Sequence, residues 1–376
     1  MSGERPVVLF STGPLKETDN PYVHSLVAGL REHADVRFLT PWAALRLRPD
    51  VVHVHWPHQL AQGGNRLRTL AKIVTSAVLL LRIARLRIPV VLTVHNLASH
   101  ESSSRAEALL TRALDRLVSL RVYLNESPEN DFSHGVVILH GSYRAWLREV
   151  AEGAEEQERG GAMLFGLLRP YKGIEGLIDA AADAGVPLLV AGRPVDDAYA
   201  ARLHELAARA ADVELIGHHH SDGELVRLIG RSSLVVLPYE RMYNSGALLY
   251  ALSAGRPVLA PRSPANQAIQ AEVGEAWLML YDGPLTSQVL GDAVSRADRA
   301  AERGAPALTR REWGSAIELH RRIYTTVAAA PWRRRVGDPA EEQRSNRALL
   351  VRDSAFPDHS SCNRVIRAGG SGRERG

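Results

Sequence analysis

LVVLPYERMYNSGALLYALSAGRPVLAP, residues 234–261, holds a strand, a polar turn, a helix and a second strand in one short run. Leu234–Leu237 is apolar and stops at Pro238, the pattern of a parallel strand buried on both faces. Asn244-Ser245 offers an N-cap just ahead of Gly246-Ala247-Leu248-Leu249, and the helix opened there ends at Gly255. Pro257-Val258-Leu259-Ala260 restarts a strand. The turn therefore points helix N-terminal N–H groups at the carboxyl edge of a sheet, where hydrogen bonding and the helix dipole both favour an anionic phosphate. The expected occupant is the phosphate of a nucleotide sugar.

The same alternation runs outward in both directions. In the second half, further strands are expected at Ala162–Phe165, Leu188–Ala191, Val213–Ile216 and Ala276–Leu280, with helices between them and two more at about Thr286–Arg303 and Arg310–Ala328. In the first half, strands are expected at 7–10, 36–39, 51–55, 89–94, 118–124 and 136–139, with a long helix over about Arg66–Arg87 and a short helical piece between the last two strands. This βα alternation predicts an α/β chain of two Rossmann-like, doubly wound domains facing a cleft. Residues 151–161, rich in charge and glycine, read as a linker between an N-terminal domain at 1–150 and a C-terminal domain at 162–330. The last helix, 310–328, is expected to pack back on the first domain, and the Arg-rich stretch 331–376 to be disordered.

Composition narrows the function. The net charge of +4 resides entirely in residues 331–376, which carry ten arginines against six acids, so the remaining chain is balanced and gives no support to nucleic-acid binding. The single cysteine, Cys362, excludes a disulfide within the chain and any cysteine-based metal centre, as expected of a cytoplasmic protein. The N-terminus enters a strand without signal-peptide architecture. The longest apolar run, Ile73–Leu81, falls far short of the ~20 residues that span a bilayer.

Several side chains stand where such a fold binds ligands. Arg169 and Lys172 lie in the loop after the second domain's first strand; together they can grip a diphosphate, the guanidinium by its fork and the ammonium as a point charge. Lys172 is one of three lysines in a chain with 43 arginines. His95-Asn96 ends a strand of the first domain, and His95 suits a general base that deprotonates an acceptor hydroxyl; His100 and Glu101 are the reserves. His53 and His55 share one side of a strand; with no third and fourth ligand at a recognisable spacing, His55-Trp56 reads as an acceptor-pocket lining rather than a metal site. Gly13 and Tyr22 bracket the first βα loop, which lacks G-x-G-x-x-G and so argues against NAD or FAD. The histidine run 218–220 reads as solvated loop. The basic segment 66–87 fits either an anionic membrane surface or a buried helix with arginine at both ends. No Asp-x-Asp occurs, so a metal-chelating GT-A mechanism is not expected.

GLLRPYKGIEGLIDA at 166–180 resembles the G-x-x-x-x-x-K-G-x-x-x-L-I-x-A segment of GT-B glycosyltransferases, above all the family 4 group. LVAGRP at 189–194 and ALSAGRPVLAP at 251–261 resemble two further elements of that group. The resemblance implies that Arg169 and Lys172 contact the donor diphosphate with the Ser245-Gly246 backbone against it, and that Glu240, Tyr243 and Asn244 border the donor. For His95 it offers an alternative to the base role, a hydrogen bond to the donor sugar; acceptor contacts are expected from Gly13, Tyr22, His55, Trp56 and Asn96, and catalysis by His95 or His100. The chain departs from the retaining family's paired glutamates, which would fall at Met242 and Tyr250; Glu240 is the nearest acid. The Pro-Tyr-x-x-x-x-Asn-Ser-Gly form at 238–246 instead resembles bacterial β-mannosyltransferase-type relatives, so retention or inversion stays open. The implied activity is transfer of a hexose, first of all mannose from GDP-mannose, to a saccharide or polyprenyl-linked acceptor. No metal and no cofactor beyond the nucleotide-sugar co-substrate is expected, and the enzyme would act in the cytoplasm at the inner face of the membrane. A nucleotide-sugar epimerase and a non-catalytic nucleotide-sugar-binding partner are the alternatives.

Overall fold

The computed structural model describes residues 5–16, 20–96, 104–131, 135–150, 160–240, 242–300 and 304–329. Most of the expected linker, all of the stretch beyond 330, and His100 lie outside them. The described residues fall into two units, one drawn from 1–17, 26–139 and 314–376, the other from 18–25 and 140–313.

The first unit is built on β1 (Val7–Phe10), β2 (Asp35–Phe38), β3 (Val51–Val54), β4 (Val90–Val94), β5 (Val118–Tyr123) and β6 (Gly135–Val137). They form one all-parallel sheet in the order β2-β1-β3-β4-β5-β6. β3 is buried throughout, as a central parallel strand covered on both faces requires. Its helices are α1 (Pro21–Leu30), α2 (Pro41–Arg46), α3 (Arg66–Leu86) and α4 (Arg105–Asp115), with the first turns of α1 assigned to the second unit.

The second unit begins with the helix α5 (Arg144–Val150), which precedes β7 (Ala162–Phe165), and continues through α6 (Ile174–Ala184), β8 (Leu188–Ala191), α7 (Asp197–Arg209), β9 (Val213–Ile216) and α8 (Asp222–Arg231). It finishes with β10 (Leu234–Val236), α9 (Gly246–Ser253), β11 (Val258–Pro261), α10 (Pro264–Val273), β12 (Leu278–Tyr281) and α11 (Ser287–Ala300). The sheet is again all-parallel, in the order β12-β11-β10-β7-β8-β9. A final helix, α12 (Trp313–Ala329), belongs from Gly314 onward to the first unit.

Strand order fixes where each sheet can bind. The direction in which successive strands are added reverses between β1 and β3 in the first sheet and between β7 and β10 in the second. Ligands of open α/β sheets sit outside the carboxyl ends of the strands at such a switch point. Three helices, α2, α4 and α5, are absent from the expected element set, and no helix occurs among the described residues between β5 and β6. The short α2 is announced by its cap, Thr40 accepting from the Ala43 N–H ahead of Pro41, and α4 by both a cap, Ser104 accepting from the Glu107 N–H, and an apolar face of Leu110, Ala113 and Leu114. Between β5 and β6, Asn125 instead accepts from the Ser127 N–H, a side-chain turn that competes with helix.

Candidate active site

In the second unit, β7 and β10 are neighbours, with Leu234 opposite Ala162 and Val235 opposite Met163. Their outgoing loops, 166–173 and 237–246, therefore leave the same edge side by side. The loops are tied together, because the Glu240 N–H donates to Tyr171 O at 3.1 Å. Gly166 and Gly192 are both held at positive φ, and a Cβ on Gly192 would collide with the Gly166 carbonyl, so glycine is what lets the β7 and β8 loops touch.

Lys172 ends a short 3₁₀ turn, Pro170–Lys172, and is only 6% exposed. A Cβ built on Gly166 would stand 3.2 Å from its Nζ, so the ammonium lies over the backbone at the end of β7. The Tyr239 ring is 5.0 Å away, and among the described residues Lys172 has no carboxylate partner. Burial, and then the charge of Arg169, bring its pKa down to about 7. Arg169 is half-buried on the same loop. The Tyr239 hydroxyl is buried without a hydrogen-bond partner among the described residues. A cation without a counterion beside an unsatisfied hydroxyl is the arrangement an incoming anion would complete.

Ser245 caps α9 by accepting from the Leu248 N–H at 3.1 Å, and Gly246 opens the helix. A Cβ at Gly246 would approach the Tyr143 hydroxyl to 3.2 Å, so a bare backbone is presented there. Tyr243 and Asn244 are half-buried on this turn, and Glu240 is exposed. Tyr250, at the position the resemblance assigns to a glutamate, donates to Asp222 at 3.3 Å, and the Trp146 indole N–H donates to the other Asp222 oxygen at 2.9 Å. Tyr250 thus sits in an aromatic cluster with Phe165 and Tyr143. Tyr239, Tyr143 and Asp222 are missing from the sequence-derived set; the Pro-Tyr dipeptide that closes the strand is the one signal that marks Tyr239.

In the first unit, the ends of β1, β3 and β4 bring Ser11, His55, Trp56, His95 and Asn96 together. The His55 N–H donates to Ser11 Oγ at 3.3 Å, and His55 Nδ1 lies 3.3 Å from His95 Nε2. Trp56 stacks on the His95 ring at 4.5 Å and 20°, and Phe10 stacks on His55 at 5.2 Å and 26°. Behind them, His53 shares hydrogen bonds with Tyr324 Oη at 2.7 Å and Thr93 Oγ1 at 2.8 Å. His53 and His55 are both 0% exposed. Burial first, then neighbouring histidines, holds both pKa values well below the usual imidazole range, so both rings are neutral. Among the described residues no group of three or more potential ligands is arranged to hold a metal ion.

The remaining expected residues are more scattered. Asn96 is exposed beside His95, and Gly13 is exposed with nothing near the position of a Cβ. Tyr22 is 1% exposed and belongs to the core of the second unit, packed on His140 at 4.6 Å and Trp313 at 5.4 Å. His218 and His220 form a ring pair at 4.5 Å on the loop after β9, with His219 and His218 exposed.

Comparison with known proteins places this geometry. No family model matches the chain. A protein of Xanthomonas campestris pv. campestris named GDP-mannose:glycolipid 4-beta-D-mannosyltransferase is 38% identical over 324 residues, covering 85% of this chain and 92% of that protein. A second protein of that name and organism is 37% identical over the same shares. Among solved structures, Anabaena Alr3699/HepE in complex with UDP and glucose aligns with a TM-score of 0.59 at 16% identity, over 86% of this chain and all of the other. Sucrose-phosphate synthase from Thermosynechococcus elongatus aligns with a TM-score of 0.61 at 14% identity, over 87% and 100%. At such identities the structural likeness establishes the fold alone: GT-B, two Rossmann-like domains.

Proposed function

Since the chain belongs to the family of GDP-mannose:glycolipid 4-beta-D-mannosyltransferases, and is thereby a hexosyltransferase, we propose that it moves mannose from GDP-mannose to a sugar hydroxyl of a glycolipid with inversion at the anomeric carbon. The observation that carries this reading is identity of 38% sustained over 92% of the relative. A β-mannoside made from an α-linked donor requires one in-line displacement. The acceptor oxygen bonds to C1, the C1–phosphate bond breaks, GDP leaves, and the acceptor proton goes to a base. His95 is that base in this reading, with His100 as the alternative; Trp56, Asn96 and Gly13 border the acceptor, while the fully buried His55 lies against His95. Arg169, Lys172 and the start of α9 at Ser245-Gly246 stabilise the departing diphosphate in place of a metal, and Glu240, Tyr243 and Asn244 line the donor. The purified protein is tested with a panel of nucleotide sugars and a glycolipid acceptor. Acceptor-dependent GDP release from GDP-mannose and a β-linked product by NMR are expected. Turnover with a different donor only, or an α-linked product, sinks the proposal.

The lipid part of the acceptor has a matching surface. α3 contains no acidic residue, and Leu67 (80% exposed), Leu70, Val74 and Leu81 (69% exposed) stand three, four and seven residues apart on one open face. α2 packs against this helix and adds exposed Trp42 and Leu45. Arg66, Arg68, Lys72 and Arg85 are exposed along α3. Apolar side chains among cations, with Ser76, Leu79, Leu80 and Ile83 buried beneath, suit an anionic bilayer surface on the cytoplasmic side. No helix among the described residues is long and apolar enough to cross a membrane. In flotation with vesicles rich in anionic lipid, the double change Leu67→Glu and Leu81→Glu is expected to weaken binding by about a hundredfold. Equal binding by this variant and the parent would remove the surface from the proposal.

A further inference from the structure

The mechanism above uses His95 but leaves a fully buried histidine, His55, against it. His55 comes from the end of β3 and His95 from the end of the adjacent β4, forty residues later. We propose that His55 is a positioning residue that sets the tautomer of His95: His55 Nδ1 accepts from His95 Nε2–H, which leaves His95 Nδ1 as the nitrogen that takes the acceptor proton. This inference rests on the reading of His95 as the base.

Three observations carry it. The two nitrogens are 3.3 Å apart, within hydrogen-bond reach. His55 is held in place by Phe10 stacked on its ring, His53 at 4.2 Å beside it, and the backbone bond to Ser11 Oγ. His53 is in turn pinned between Thr93 and Tyr324, so the whole row is anchored to β4 and α12. A base that becomes doubly protonated must donate through both nitrogens, and its neighbour must then accept. His55, kept neutral by its burial, offers Nδ1 for that purpose only with its own proton on the buried Nε2. Among the described residues, the titratable groups beside the pair are His53 on β3 and His320 on α12, both buried, with pKa values held below the usual imidazole range.

The direct test is histidine ¹⁵N NMR on the whole protein. Neutral His95 is expected to carry its proton on Nε2, and a proton on Nδ1 would overturn the assignment. Kinetics give a second, independent arm. His55→Leu is expected to lower kcat by about 10–100-fold with the donor KM within about twofold. It should also move the acidic limb of the kcat profile to lower pH, because the imidazolium loses its acceptor. His55→Asn places Oδ1 where Nδ1 stood and is expected to restore kcat and the limb to within about threefold of the parent. An Asn variant no better than Leu, or losses of His55→Leu and His95→Gln that add in full in the double variant, would defeat the proposal. Should His95→Gln alone retain the parent kcat, the base assignment falls; if it is inactive while His55→Leu is unaffected, only the positioning role falls.

Discussion

His95→Gln is expected to lower kcat by about 10²–10⁴-fold, the range that removal of a general base produces. Glutamine keeps a polar group at the end of β4 and can still hydrogen-bond to His55, but it cannot accept a proton at neutral pH. Its Trp56 stacking surface is smaller, so some acceptor affinity is lost as well. GDP-mannose affinity should stay within about twofold, because the groups assigned to the diphosphate sit on the β7 and β10 loops. The experiment compares kcat at saturating donor and acceptor with calorimetric GDP-mannose binding. A variant that retains more than about a tenth of the parent kcat would transfer the role to another residue, with His100 first in line.

The donor-side loops and the histidine pair differ in how far local sequence reveals them. Buried parallel strands announce themselves as four-residue apolar runs closed by Pro or Gly, so β7, β8, β10 and β11 were legible, and with them the doubly wound sheet of the second unit. Gly246 behind Ser245 marked the α9 start for the same local reason. Adjacency across the sheet is a different matter. Nothing within forty residues of chain shows that His55 and His95 touch; the parallel pairing of β3 with β4 brings them together. Tyr22 shows the same dependence on remote residues. Local reading puts it both at the edge of the first βα loop and on one helix face with Leu26 and Leu30, and packing on His140 and Trp313, remote in sequence, leaves the ring 1% exposed. α2, α4 and α5 span six, eleven and seven residues, and the shortest of them are too brief for helical periodicity to rise above the strands around them.

Lys172 shows how burial adds chemistry that composition cannot reveal. As a lysine with few companions it stood out, but its burial, with no carboxylate partner among the described residues, is a structural fact, and that burial sets a pH dependence. With its pKa brought down to about 7 by burial and by Arg169, the free protein holds Lys172 largely neutral at pH 8. A bound diphosphate stabilises the charged form, so donor binding at pH 8 is expected to take up about one proton. The sign follows: below about pH 7 the lysine is already charged and affinity is flat; above it, affinity falls by up to about tenfold per pH unit until the pKa of the complex is reached. Calorimetry of GDP binding in buffers of different ionisation enthalpy measures the uptake directly. Lys172→Met preserves the packing against Tyr239 while removing the charge. It should abolish the proton uptake and weaken GDP binding by roughly 2–3 kcal/mol, about a hundredfold, at pH 6.5. At pH 9 the gap between variant and parent should narrow, because the parent must first recharge its lysine. Tight GDP binding at pH 8 without proton uptake, or a methionine variant that binds like the parent at pH 6.5, would show that the diphosphate is held elsewhere and leave Lys172 as a buried amine supporting the β7 loop.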